Sequence, residues 1–147
     1  MSTIKPHKEK KISDNWLSIL GDRDETPSSF EFHGTAGEKK KRYKISKGYE
    51  THYIYTDEMG CTAFVVERKK DEQTGEKSFF LHSKWLHKSN GQKKWISKHY
   101  PEPRFIFNLP KLKDSKLSKV YVTEGEKTCL ALQEQVGTYP VTTYACG

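Results

Sequence analysis

"VYVTEGEKTCLALQEQVG", residues 120–137, decides how the end of this chain folds. "KVYVTE" is a short β-branched run of the kind that suits a buried parallel strand, and it ends at Glu124. Gly125 permits a sharp backbone turn. "EKTCLALQEQV" then places Cys129, Leu132 and Val136 at i, i+3 and i+7, one face of a helix. Gly137 closes that helix, and "YPVTTYACG" resumes an apolar strand. The pattern is β-α-β. Its first acid stands at the carboxyl end of a strand, where open α/β sheets build their sites.

Working outward, "YPEPRFIFNLPKLKDSKLSK" (100–119) leads into this unit. Pro101, Pro103 and Pro110 bracket an apolar "FIFNL", which excludes a long helix and implies a crossing segment. Before it the pattern is β. "THYIYT", "CTAFVVERKK", "SFFLHSKW" and "KKWIS" alternate and are separated by polar turns, among them Ser-Asn-Gly, a strong hairpin signal. An antiparallel meander is expected, with Arg68, Lys69, Lys77, Lys84, Lys88, Lys93, Lys94 and Lys98 facing outward among Trp85, Trp95 and Tyr100. A basic sheet with an exposed ring suits single-stranded DNA or RNA, because cations track the backbone while the ring accepts bases without reading them.

Charge separates these parts. The 147 residues carry a net charge of +7, are 33% hydrophobic and 31% charged, and include 12% aromatics, too many for a disordered chain. Cations outnumber acids between Thr51 and Lys119, whereas from Val120 onward Lys127 stands alone against Glu124, Glu126 and Glu134. A basic body with an acidic end fits a polyanion-binding module joined to something different. Residues 1–50 are expected as a basic arm, 51–118 as the β-rich binding region and 119–147 as the βαβ unit, an α+β chain in total. In the arm, "SDNWLSILG" (13–21) fits a short helix with Trp16, Leu17 and Leu20 on one face. Lys39, Lys40, Lys41 and Arg42 form a second phosphate-contacting candidate. Cys61, Cys129 and Cys146 form no CxxC pair, which excludes a zinc ribbon and fits a reduced, cytoplasmic chain. No apolar run approaches a membrane span, and the N-terminus is too polar for a signal peptide.

"VTEGEKTCLAL…VGTYPVTTYACG" resembles the first half of a Toprim domain, the metal-dependent fold of bacterial-type primases and topoisomerases. "YIYTDEMGCTAFVVER", "KKWIS" and "FIFNLPKL" are similar to the lead-in of that domain in primases of phages, plasmids and other mobile elements, so the resemblance covers about residues 51–147. It implies that Glu124 is the Toprim glutamate, a general acid/base and part of an acidic metal cluster. It further implies that Gly125 is the turn glycine, with Glu126 and Lys127 completing the mobile-element variant close to phosphate or metal. A complete site also needs an Asp-x-Asp pair to hold Mg²⁺, and the only acid after Glu126 is Glu134, on the helix. The chain is therefore expected to carry the front edge of a site without its metal ligands, and to bind no cofactor. A third arrangement, Glu124 with His82, His87 or His99, lacks metal-ligand spacing.

Two functions follow. One is a nucleic-acid-binding, catalytically incomplete part of a mobile element's replication primase, whose partners are single strands and the remainder of a primase-helicase. The other is a stand-alone basic protein derived from a primase, which binds nucleic acid or blocks a host nucleic-acid complex, such as a defence nuclease, in an anti-CRISPR-like manner. Basic surface serves both. They differ in whether "PVTTYACG" is frayed or paired and covered.

Overall fold

The computed structural model describes residues 15–31, 42–44 and 52–145. Its elements run β1 (Trp16–Ile19), β2 (Ser29–Glu31), β3 (Arg42–Lys44), β4 (His52–Thr56), β5 (Thr62–Lys70), β6 (Lys77–His87), β7 (Lys93–Ile96), α1 (Leu109–Asp114), β8 (Tyr121–Val122), α2 (Glu126–Val136) and β9 (Val141–Thr142). The fold is mixed α+β and rich in strands. One sheet has the order β3-β2-β7-β6-β5-β4, with β1 pairing β6 beside that path.

The meander expected from the alternating segments is β4 to β7, each antiparallel to the next. Ser-Asn-Gly turns the chain between β6 and β7. Asn90 Oδ1 accepts the Gln92 N–H, and Gly91 takes φ +70°, which costs a glycine little.

The N-terminal segment departs from expectation. Trp16–Ile19 is a strand, not a helix, in register from Trp16↔His87 to Ile19↔Lys84. β5 pairs β6 as far as Phe64↔Ser83, while β7 holds the opposite edge from Ser83 to Leu86. That would leave Lys84–His87 with one unpaired edge, and β1 fills it. Satisfying those backbone groups outweighs the weak helix preference of so short a stretch. Residues expected as an arm thus supply β1, β2 and β3 to the same sheet.

β5 is buried on both faces. Phe64 and Val66 pack with Tyr53, Tyr55 and Leu81 on one face, whereas Val65 packs with Phe30 and Trp95 on the other. Each such side chain contributes roughly 1.5–3 kcal/mol through burial. The first face is covered by the C-terminal part, through Phe107, Cys129 and Val141.

That part has the predicted βαβ order. β8 and β9 are parallel, Tyr121↔Val141 and Val122↔Thr142, with α2 between them in sequence. Cys129 is buried, and Leu132 and Val136 pack on the same cluster. Gly137 ends the helix at φ +63°. The proline-bracketed segment forms only the short α1, with Pro110 in its first turn. Just before it, Phe107 donates its N–H to Thr143 O at 2.8 Å, while Thr123 donates to Thr142 O at 3.0 Å. β9 is therefore held on both edges. Among the described residues no helix is long and apolar enough to cross a membrane.

Candidate nucleic-acid interface and acidic turn

The predicted cations fall into two groups. Lys84 Nζ lies 2.9 and 3.0 Å from the Glu25 carboxylate oxygens. Lys94 Nζ lies 3.2 Å from Glu31, which also draws Arg42 to 3.8 Å. Lys98 Nζ sits 5.1 Å above the Trp85 ring. These side chains are engaged within the fold. Arg68, Lys88 and Lys93 make no ion pair among the described residues. Lys39, Lys40 and Lys41 lie outside the described residues.

Trp95 is not a surface platform. It is 8% exposed, packs with Phe30 and Val65, and donates Nε1–H to Glu25 Oε1 at 3.0 Å. Trp85 is buried as well, donating Nε1–H to Ser83 Oγ. Both were expected outward because a meander was expected to keep one face in water; here both faces are covered. Glu25 organises this corner. Burial raises its carboxyl, but the hydrogen bonds from Lys84, Trp95 and the Asp22 N–H more than offset that and hold it below the ordinary carboxylate value. Glu25 and Glu31 were the missed residues. Their signal was the acid in "GDRDETPSSFEF", the stretch just ahead of the cation run.

On the large sheet the rings of Phe79 and Phe80 do reach solvent, 51% and 39% exposed, beside Lys77 at the start of β6. The signal for them was strand length. β4 pairs β5 only as far as His52↔Glu67, whereas β5 and β6 continue together to Lys70↔Lys77. Among the described residues the hairpin beyond Glu67 is two-stranded.

The acidic turn is arranged differently from its sequence reading. Glu124 is exposed just past β8, as a strand-terminal acid should be. Gly125 is extended, at φ −159° and ψ 165°, and a Cβ there would meet nothing within 4 Å, so this backbone does not demand glycine. Thr123 Oγ1 bridges the turn to Gly125 O at 3.0 Å, and Thr143 Oγ1 ties β9 to Thr123 O at 2.7 Å. Glu126 points inward. It is buried and accepts the Tyr55 hydroxyl on Oε1 at 2.7 Å, which fastens α2 to the large sheet. Lys127 is exposed. The donor set does not fit the Mg²⁺ that a Toprim-like turn implies. Glu126 is committed to Tyr55, Glu124 is left as a single carboxylate, and hard cations need several oxygens.

One buried polar group had no sequence signal. Glu67 and His82 are both fully buried, with Nε2 and Oε2 2.9 Å apart, and Phe30 stacks on the imidazole at 3.6 Å between centroids. Lys69 Nζ approaches Glu67 Oε1 at 3.6 Å from the surface. No family model, curated protein or solved structure matches the chain.

Proposed function

We propose that this chain is a nucleic-acid-binding module of replication machinery, related to the part of a mobile-element primase that leads into and opens its Toprim unit. It binds single strands and carries out no chemistry of its own. The observation that supports this reading is where positive charge stands once the internal ion pairs are made. Within the β4–β7 meander it remains on the two hairpins at opposite ends of β6, with Arg68, Lys70 and Lys77 at one and Lys88 and Lys93 at the other. β6 has 11 residues, so the two clusters are roughly 35 Å apart by strand rise. From Lys77 to Pro101 the sequence has no acid to repel a phosphate. Cations hold the backbone of a flexible single strand, and each hairpin offers a cluster of them. The parallel βαβ order and the exposed Glu124 after β8 support the primase relationship.

The test is the salt dependence of oligonucleotide binding. Lys88→Ala with Lys93→Ala should weaken binding and flatten the slope of log K against log salt by about one to two units, because each phosphate contact releases counterions. Absence of binding by the unaltered chain at low salt refutes the reading.

A second reading, a primase-derived stand-alone protein that occupies the nucleic-acid channel of a host complex, is favoured by the pairing of β9 on both edges. Hydrogen exchange distinguishes them. Slow exchange at Phe107, Tyr121 and Thr123, which donate to the segment running from Pro140 to Thr143, is expected in a monomer if the second reading holds. Fast exchange there, or self-association in sedimentation, returns the choice to the first.

A further inference from the structure

The register of the β5–β6 hairpin sorts its side chains by chemistry. Arg68 lies opposite Phe79, Lys69 opposite Ser78 and Lys70 opposite Lys77. Directly opposed residues share a face and successive residues alternate. Arg68, Lys70, Lys77 and Phe79 therefore stand on one face, and Lys69, Ser78 and Phe80 on the other. Asp71 and Glu76, joined by the Asp71 N–H to Glu76 O bond at 2.8 Å, continue the second face by the same alternation, and Glu72 lies in the connecting turn. Glu67, the acid of β5, lies on the second face by the same register, away from the three cations.

The two phenylalanines are not equivalent. Lys69 Nζ covers the Phe80 ring, 5.4 Å from its centroid. Phe79 is the more exposed and has no cation above it among the described residues. Arg68, Lys70 and Lys77 make no ion pair among the described residues. Lys70 directly opposite Lys77 is a like-charge pair, which costs a hairpin stability unless an anion lies between the two. An uncovered ring framed by three uncompensated cations matches one chemistry: a planar base with a phosphate on either side.

We propose that this face of the hairpin is the stacking site for an unpaired base, with Phe79 receiving the base and Arg68, Lys70 and Lys77 holding the flanking phosphates. The proposal rests on the nucleic-acid reading above and assigns the contact that Trp95 cannot make. A paired base hides its faces within the duplex stack, so the site selects single strands, and it is indifferent to sequence because every base has a face to offer. Further down, through Val66 and Leu81, the same sheet face packs against the C-terminal part, so the bound strand lies on the side that carries the βαβ unit.

Anisotropy titration with a fluorescein-labelled oligothymidylate tests it. Phe79→Ala should weaken binding about tenfold with the salt slope unchanged, as expected for loss of one stacked base. Lys70→Ala with Lys77→Ala should flatten the slope by about one to two units, while Phe80→Ala, on the opposite face, should leave affinity unchanged. These residues are at the surface, and thermal unfolding should confirm that each variant folds. If Phe79→Ala and the Lys70/Lys77 variant bind like the unaltered chain while the Lys88/Lys93 variant does not, the hairpin proposal is overturned and the wider reading stands. If a duplex of the same length competes equally, stacking is overturned. If the unaltered chain binds no oligonucleotide, both readings fall together.

Discussion

Replacing His82 with Ala is expected to destabilise the fold by about 3–5 kcal/mol in urea unfolding. The imidazole is fully buried, donates to Glu67 across 2.9 Å and carries the stacked Phe30 ring. Its removal opens a cavity and takes from the buried Glu67 carboxyl its 2.9 Å partner, while Lys69 stands farther off at 3.6 Å. Glu67→Leu combined with His82→Leu should recover most of the loss, because two apolar side chains leave no polar group stranded. A double variant as unstable as His82→Ala would mean that cavity volume, not polarity, sets the cost.

The same pair predicts a pH dependence. Burial pushes the His82 imidazole below its ordinary value of 6.5, outweighing the hydrogen bond and charge of Glu67, which raise it, with Lys69 adding to the lowering. Nδ1 has no hydrogen-bond partner among the described residues, so protonation would bury an orphan N–H. The unfolded chain takes up a proton near pH 6.5 where the folded chain does not. Stability should therefore fall as pH drops below about 6.5, by at most ~1.4 kcal/mol per pH unit, and level off below the folded value. The Glu67→Leu, His82→Leu variant should lose that component; an identical pH profile for both proteins would contradict a neutral His82.

Trp95→Ala is expected to cost about 3–5 kcal/mol of stability, because it empties the space between Phe30 and Val65 and removes the Nε1–H bond to Glu25. Trp95→Phe, which keeps most of the volume, should be folded and should bind single strands with unchanged affinity. A tenfold loss of binding in the folded Trp95→Phe variant would restore Trp95 as a stacking residue. The contrast with Phe79→Ala, expected to spare stability and weaken binding, separates a core aromatic from a surface one by two measurements.

Much of the architecture was legible in the sequence because its signals are local. Alternation with period two marks β4 to β7, and the spacing of Cys129, Leu132 and Val136 marks the buried face of α2. Gly91 and Gly137 end their elements through backbone angles that neighbouring residues hardly influence. Glu124 stands at the end of a strand, as its position before a helix implied.

Which side chains are available for function was decided only by the tertiary structure. Lys84, Lys94 and Trp95 look outward when β6 and β7 are considered alone. They are engaged because Glu25, Glu31 and Phe30 arrive from a distant part of the chain, Glu25 pairing Lys84, Glu31 pairing Lys94 and Phe30 packing on Trp95. Trp16–Ile19 is a strand for the same reason, since an open edge of β6 sets a requirement that no local preference records. Glu126 turns inward because Tyr55, on another sheet, offers it a hydroxyl. Phe79 and the three cations of its face stand clear because β5 and β6 outrun β4. Local spacing sets the period of an element and so the faces it has; what covers each face depends on partners remote in sequence, and that alone decides which charges remain for a ligand.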